Sequence, residues 1–482
     1  MSSDHPAPDL TRTPAPTRWR RAVSAVVATA LALAAPANTF APAQAQEDGD
    51  KGGPPIVRDA EIEQLLKDYT QPILRAAGLA NQNVRVVIIN DPQFNAFVMD
   101  GRHIFINTGA LLQAETPNEV IGVLAHETGH MAGGHLAKMR QQLAQAQTQM
   151  ILATLLGIGA MVAGARANSS GTAQVGMAAL SAPQSAIQRS LISYVRQQEE
   201  SADRAGVRFL TATGQSPKGM YLTFKRFADQ SLFATHGVDP YVMSHPMPID
   251  RVAALEVFAK ASPYWDKKDD PALQLRHDLM RAKLAGFMNR ADTVARRYPN
   301  SADNLPARYA RAIAMYRHGD LRSALGLIDG LIQSQPNNPY FYELRGQALL
   351  EGGMPKEAIP SLRRAVQLSH NSALIEILLG QALLASDNPA VADEAIGILK
   401  NALIQEPEAP IGYTQLAMAY GKKGNLAEAD LASAQAAYLR GDLKYARGLA
   451  IRAKARFAVG SPGWVKADDI VSAKPIPGQN PN

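Results

Sequence analysis

The chain has 482 residues, 46% of them hydrophobic, enough to bury more than one core, so a single small domain is excluded. Its 49 basic and 43 acidic residues leave a net charge of +6, too mild an excess to predict nucleic-acid binding. The absence of cysteine excludes a disulfide framework, a thiolate metal site, a cysteine nucleophile and a lipid-modified cysteine anchor, so any metal must be held by His, Asp or Glu.

The N-terminus reads as an address. Arg18-Trp19-Arg20-Arg21 precedes an apolar run from Ala22 to Ala35 and a small-residue stretch ending Ala43-Gln44-Ala45. These are the charged, apolar and A-x-A parts of a secretory signal, with cleavage expected near Ala45. The apolar run is shorter than the roughly 20 residues a membrane span needs. Residues 1–45 are therefore read as a signal peptide, and the tandem arginines leave the export route open. Residues 46–58, polar and rich in Gly and Pro, are read as a flexible mature N-terminus.

A mixed domain is expected over 59–260. Ile62, Leu65, Leu66 and Tyr69 recur at helical spacing. The pattern then shortens: Val84 to Ile89 and His103 to Asn107 read as strands of a small sheet, with Gly101 in the connection. Thr116-Pro117-Asn118-Glu119 supplies a cap, a proline at the first helical position and a glutamate at the third, so a helix should start there. It runs through Val120, Ile121, Val123, Leu124 and Ala125 into His126-Glu127-Thr128-Gly129-His130, which places the polar trio inside the domain.

Histidines four apart share a helix face and converge on one point, which suits zinc at about 2.0–2.1 Å from each nitrogen. His126 and His130 are the first two candidate ligands, and one Zn2+ per chain is expected. Glu127 projects beside the metal, where it can deprotonate the attacking water and later protonate the leaving amine. A third ligand must come from elsewhere. Gly133 and His135 invite comparison with the longer HExxHxxGxxH pattern, but its last histidine falls on Leu136. Gln198 to Gly206 fits better: Glu199 and Asp203 lie four apart on one face, Glu199 as metal ligand and Asp203 accepting a hydrogen bond from a ligand histidine. Glu127 and Asp203 are thus the candidate catalytic residues.

HExxH followed much later by Glu199, Ala202, Asp203 and Gly206 resembles the zinc metallopeptidases related to the CAAX prenyl endopeptidase. Asn95-Ala96-Phe97, Gly101 and the stretch from Ile104 to Gly109 resemble the segment before the metal helix of that family, so the resemblance covers about Asp59 to Arg251. It implies an α+β zincin fold, gluzincin-like, with His126, His130 and Glu199 as ligands and Glu127 as base. It also implies that the strand from His103 to Asn107 pairs with an extended substrate, as edge strands can. Ser244-His245-Pro246 followed by Arg251 matches a further family feature in which the histidine is a regulatory fourth ligand that displaces the catalytic water. His245 as a surface residue before a turn proline is the competing reading. Between the two metal-binding helices, Met150 to Val162 is apolar and Ala163 to Gly176 is rich in small residues; a loop covering the site, or peripheral contact with a membrane surface, are its two readings.

Residues 261–300 read as a helical linker and 301–458 as an all-α solenoid of tetratricopeptide repeats. Ala312, Gly346, Gly380 and Ala417 are spaced 34, 34 and 37, while Ala324, Ala358, Ala395 and Ala429 are spaced 34, 37 and 34. The shared insertion falls near Asp387-Asn388-Pro389, and Pro336 and Pro407 close their repeats. Such an array presents a concave groove for protein segments. Residues 459–482 read as a disordered tail. The exported, repeat-bearing branch of the family implies a periplasmic endopeptidase acting on misfolded or unassembled outer-membrane proteins, with the repeats meeting their assembly machinery. A chaperone-like assembly factor with a latent or structural zinc is the alternative, and Glu127, which a purely structural zinc does not need, favours the protease.

Overall fold

The computed structural model describes residues 55–148, 170–233, 240–386 and 388–473. The expected signal peptide, the stretch from Met150 to Ser169, Asp387 and residues 474–482 lie outside the described residues. No helix among those described is long and apolar enough to cross a membrane.

The described chain opens with β1 (Ile56–Val57) and α1 (Ala60–Ala76). Asp59 caps α1 by accepting a hydrogen bond from the Ile62 N–H, and Ile62, Leu65, Leu66, Tyr69 and Ile73 form its buried stripe. β2 (Arg85–Ile89), β3 (Ala96–Val98) and β4 (His103–Asn107) complete a four-stranded sheet of order β1-β2-β4-β3. β2 and β4 run parallel, with Val87 opposite Phe105; the other two pairings are antiparallel.

Two features of this sheet correct the sequence reading. Ile56 and Val57, placed in a flexible segment, pair with Ile89 and Ile88, because Val57 has a core to enter. The strand from His103 to Asn107 is internal rather than an edge: β3 covers its outer side, with Phe97 stacked on Phe105 at 5.3 Å between ring centroids. The edge on that side is β3, which at three residues is too short to show a period.

α2 (Thr108–Gln113) leads to α3 (Pro117–Ala132). Thr116 accepts from the Glu119 N–H, and the Glu119 carboxylate reaches back to the Glu115 N–H, so the helix begins where the capping pattern predicts. α4 (Ser170–Ala212), α5 (Lys218–Phe233), α6 (Pro240–Ser244) and α7 (Ile249–Lys260) follow. Val120, Val123 and Leu124 of α3 share one core with Ile104, Phe209, Phe224 and Leu255.

α8 (Pro271–Met288) differs from a linker. Met280 and Leu284 enter the core of the mixed domain, while Leu279, Ala282 and Phe287 enter the next, so both faces are buried. Every further element described is helical, from α9 (Ala291–Arg297), α10 (Leu305–His318), α11 (Leu321–Ser334), α12 (Pro339–Glu351) and α13 (Pro355–Leu368) to α14 (Ala373–Ala385). After a short 3-10 turn come α15 (Ala392–Gln405), α16 (Pro410–Lys422), α17 (Leu426–Leu439) and α18 (Leu443–Arg456). Ala312, Ala324, Ala358 and Ala395 are fully buried, and Gly346 and Gly380 lie against Leu362 and Leu399. Ala417 and Ala429 are half-buried, and Ala419 and Ala432 take the buried places there. The tail also departs from expectation. α19 (Pro462–Ser472) forms because Ser461 caps it at the Trp464 N–H and Ala467 and Ile470 have neighbours to pack on.

The helical arm folds back onto the mixed domain. Buried Lys283 of α8 places Nζ 2.8 Å from Asp59 Oδ2, 3.3 Å from Glu61 Oε2 and 3.6 Å from Glu343 Oε2 of α12, while the Tyr309 hydroxyl of α10 donates to Glu61 at 2.9 Å. Burial works to lower the Lys283 pKa, and the surrounding carboxylates, with Tyr309, override it and hold the ammonium well above its usual value. Burial pushes the Glu343 carboxyl up to about 7, against the pull of Lys283. Beside this junction Ala60 packs on Ala365, Leu374 and Ile375, and Glu406 accepts from Arg58 at 2.9 Å and Arg85 at 3.1 Å.

Candidate metal centre

The site is made by the crossing of α3 and α4. At Gly129 a Cβ would lie 2.7 Å from the Ala202 carbonyl oxygen, so the missing side chain lets the two backbones approach. This contact sets the i, i+4 histidines of α3 against the i, i+4 carboxylates of α4.

His126 Nδ1 is 2.9 Å from Asp203 Oδ1, and its Nε2 is 3.4 Å from Glu199 Oε2. His130 Nε2 is 3.4 Å from Glu199 Oε1 and 3.0 Å from His126 Nε2. After α6 the chain brings in buried His245, whose Nδ1 lies 3.1 Å from Glu199 Oε2 and 3.4 Å from His126 Nε2. One donor atom each from His126, His130, Glu199 and His245 falls within 4.8 Å of all the others, a group able to hold a metal ion. All the candidate site residues thus meet in one place, and His245 is not a surface residue.

Glu127 is fully buried beside the cluster. Among the described residues neither of its oxygens has a hydrogen-bond partner, and His245 Nε2 stands 3.6 Å from Oε1. Burial raises its pKa. Burial would also raise Glu199, but His245, with hydrogen bonds from His126 and His130, holds it well below the usual carboxylate range. Burial opposes the charge on His126, yet Asp203 and Glu199 hold it up at about 9; burial wins at His130, pushed down to about 3.

Two residues have larger parts than the sequence suggested. Arg251 grips Asp203 with two hydrogen bonds of 2.7 and 2.8 Å, stands 2.9 Å from Glu199 Oε2 and donates to the Pro246 carbonyl at 2.9 Å. Its place shortly after Ser244-His245-Pro246 was the available signal. Buried Tyr241 packs its ring 4.7 Å from that of His245, and nothing in its sequence spacing marks it.

With this geometry in place, comparison with known proteins is decisive. Residues 58–259 match the profile of peptidase family M48. They form an M48 peptidase domain. The chain is accordingly a metalloprotease, and the four-donor cluster and Glu127 lie inside the M48-matched segment. The chain is 25% identical over 418 residues to the beta-barrel assembly-enhancing protease of Yersinia pestis, covering 84% of this chain and 82% of that one. It is 24% identical over 422 residues to the protein of the same name in Escherichia coli strain K12, covering 85% and 82%. A shorter match, 33% over 66 residues, joins 14% of the chain to 20% of the mitochondrial metalloendopeptidase OMA1 of Schizosaccharomyces pombe. The two longer matches extend well beyond the M48 domain into the helical arm.

Proposed function

We propose that the chain is an exported, zinc-dependent endopeptidase of envelope protein quality control that degrades misfolded or stalled outer-membrane proteins. The observation that carries the zinc reading is the donor set itself. The His126–His130, His126–Glu199, His130–Glu199 and His126–His245 separations of 3.0 to 3.4 Å, in a set whose donors all lie within 4.8 Å of one another, approach the edge of about 3.3 Å of a tetrahedron with zinc bonds of about 2.0–2.1 Å. Zinc, when bound, supplies Lewis acidity toward the scissile carbonyl. In this reading His126, His130 and Glu199 hold the ion. Glu127, buried with both oxygens free of hydrogen bonds from described residues, takes the proton of the attacking water and returns it to the leaving amine. Asp203, gripped by Arg251, holds His126 with its proton on Nδ1 and Nε2 facing the cluster. In this reading β3, rather than β4, is the edge strand to which an extended peptide can add.

The setting rests on the signal-like N-terminus and on the names of the relatives. The arm helices, read as tetratricopeptide repeats, would recruit partners in the assembly machinery, and the periplasm is the compartment this requires. One observation supports the alternative of an assembly factor with latent zinc: His245 completes a four-donor set, which is how structural zinc sites are closed.

Metal content by mass spectrometry, coupled to casein cleavage, separates the two readings. About one zinc per chain is expected, with cleavage reduced roughly 10²–10⁴-fold in Glu127→Gln and raised in His245→Ala. Zinc binding without cleavage in any variant would hand the case to the assembly factor, and absence of zinc binding would overturn the ligand assignment.

A further inference from the structure

The two histidines of α3 are backed differently. His126 has its outer nitrogen, Nδ1, 2.9 Å from a carboxylate oxygen of Asp203. His130 directs its outer nitrogen at another imidazole: His130 Nδ1 lies 3.0 Å from Nδ1 of His135, a buried residue whose ring stands edge-on at 87° with centroids 5.0 Å apart. The backbone is shaped for this contact. Gly134 at φ +61° turns the chain so that the next helical stretch starts at His135. At Gly133 a Cβ would lie 2.1 Å from His135 Nε2 and 2.5 Å from its Cδ2, so the ring occupies the space that a side chain there would fill.

We propose that His135 is a positioning residue for the metal centre: it accepts a hydrogen bond from His130 Nδ1–H and so fixes the His130 tautomer that presents Nε2 to the ion. A neutral imidazole has one donor nitrogen and one acceptor nitrogen, and the bond made by one decides what the other can do. With its proton held on Nδ1, His130 keeps the Nε2 lone pair directed at Glu199 and His126, where the other donors converge. His135 must then carry its own proton on Nε2, the atom that lies beside Gly133. An imidazole acceptor does this without adding a charge to a site that already holds Glu127, Glu199 and Asp203. The inference rests on the reading of His130 as a zinc ligand.

The test is zinc affinity of the full chain by competition with a chromophoric chelator, in wild type, His130→Ala, His135→Ala, His135→Asn and Gly133→Ala. Loss of an outer hydrogen-bond partner typically weakens metal binding about 10–100-fold, and that is the loss expected for His135→Ala and Gly133→Ala. His135→Asn, whose amide oxygen can accept the same bond, should recover most of it. Long-range proton–nitrogen spectra of the imidazoles in the metal-free protein should show the His130 proton on Nδ1 in wild type and a tautomer mixture in His135→Ala, a change that loss of packing alone would not produce. Wild-type affinity in His135→Ala while His130→Ala loses zinc would overturn the proposal and leave the ligand reading standing. Wild-type affinity in His130→Ala would overturn both.

Discussion

Among the described residues, two clusters of buried charge invite comparison, and they are balanced in different ways. At the junction between domain and arm, Asp59, Glu61 and Glu343 gather around the ammonium of Lys283, so the cation is part of the chain. At the metal centre Glu199 faces three imidazoles, Asp203 is taken by His126 and Arg251, and Glu127 has no hydrogen-bond partner among the described residues. Buried carboxylates require a cation. The junction is closed by Lys283 and acts as a fastening, whereas the centre, beside its own Arg251 on Asp203 and Glu199, also converges three imidazoles on a point and acts as a receptor.

This contrast is most sharply tested by removing the internal cation. Lys283→Met leaves buried Glu61 and Glu343 and half-buried Asp59 without their cation, which should cost about 3–5 kcal/mol in denaturant unfolding while zinc affinity stays at the wild-type value. The receptor should show the reverse dependence. Stripping zinc with a chelator should lower stability by about 2.7 kcal/mol when the ion had been present at a hundredfold excess over its Kd, and His126→Ala should abolish that effect. If chelation also destabilises His126→Ala, the ion binds elsewhere.

The junction should further betray itself by pH. Glu343 keeps its proton up to about 7 in the folded chain, against an ordinary value of 4.5 when unfolded. Between those values the folded state binds more protons, so stability must fall as pH rises, with a slope of up to about 1.4 kcal/mol per unit. Glu343→Gln should flatten that slope in thermal melts taken from pH 4.5 to 7. The smallest effect belongs to Glu406→Ala, because the pairs with Arg58 and Arg85 are partly solvated; under about 1 kcal/mol is expected.

What the sequence disclosed follows from range. Spacing along one helix is local information, so the i, i+4 pairs His126/His130 and Glu199/Asp203 were legible, as was the Thr116 cap that begins α3. The internal place of β4 was not, because strand order depends on β1 and β3, each too short to carry a pattern. Lys283 was equally opaque: it sits among Arg281, Ala282 and Leu284 as an ordinary charge on a helix, and only contact with Asp59 and Glu343 makes it a junction residue. The α19 helix carried a readable signal in Ser461-Pro462 that the surrounding glycines and prolines obscured.

The junction also bears on the order in which the chain acquires its structure. Arg58, at the threshold of the first helix, meets Glu63 five residues on but its second partner, Glu406, only 348 residues later, and Asp59 must wait for Lys283. Contacts closed over such distances form slowly and only after the distant segment has been made. The N-terminal strand and helix pair and pack within their own domain, but, although synthesised first, they gain the partners Glu406 and Lys283 only once the later helices exist.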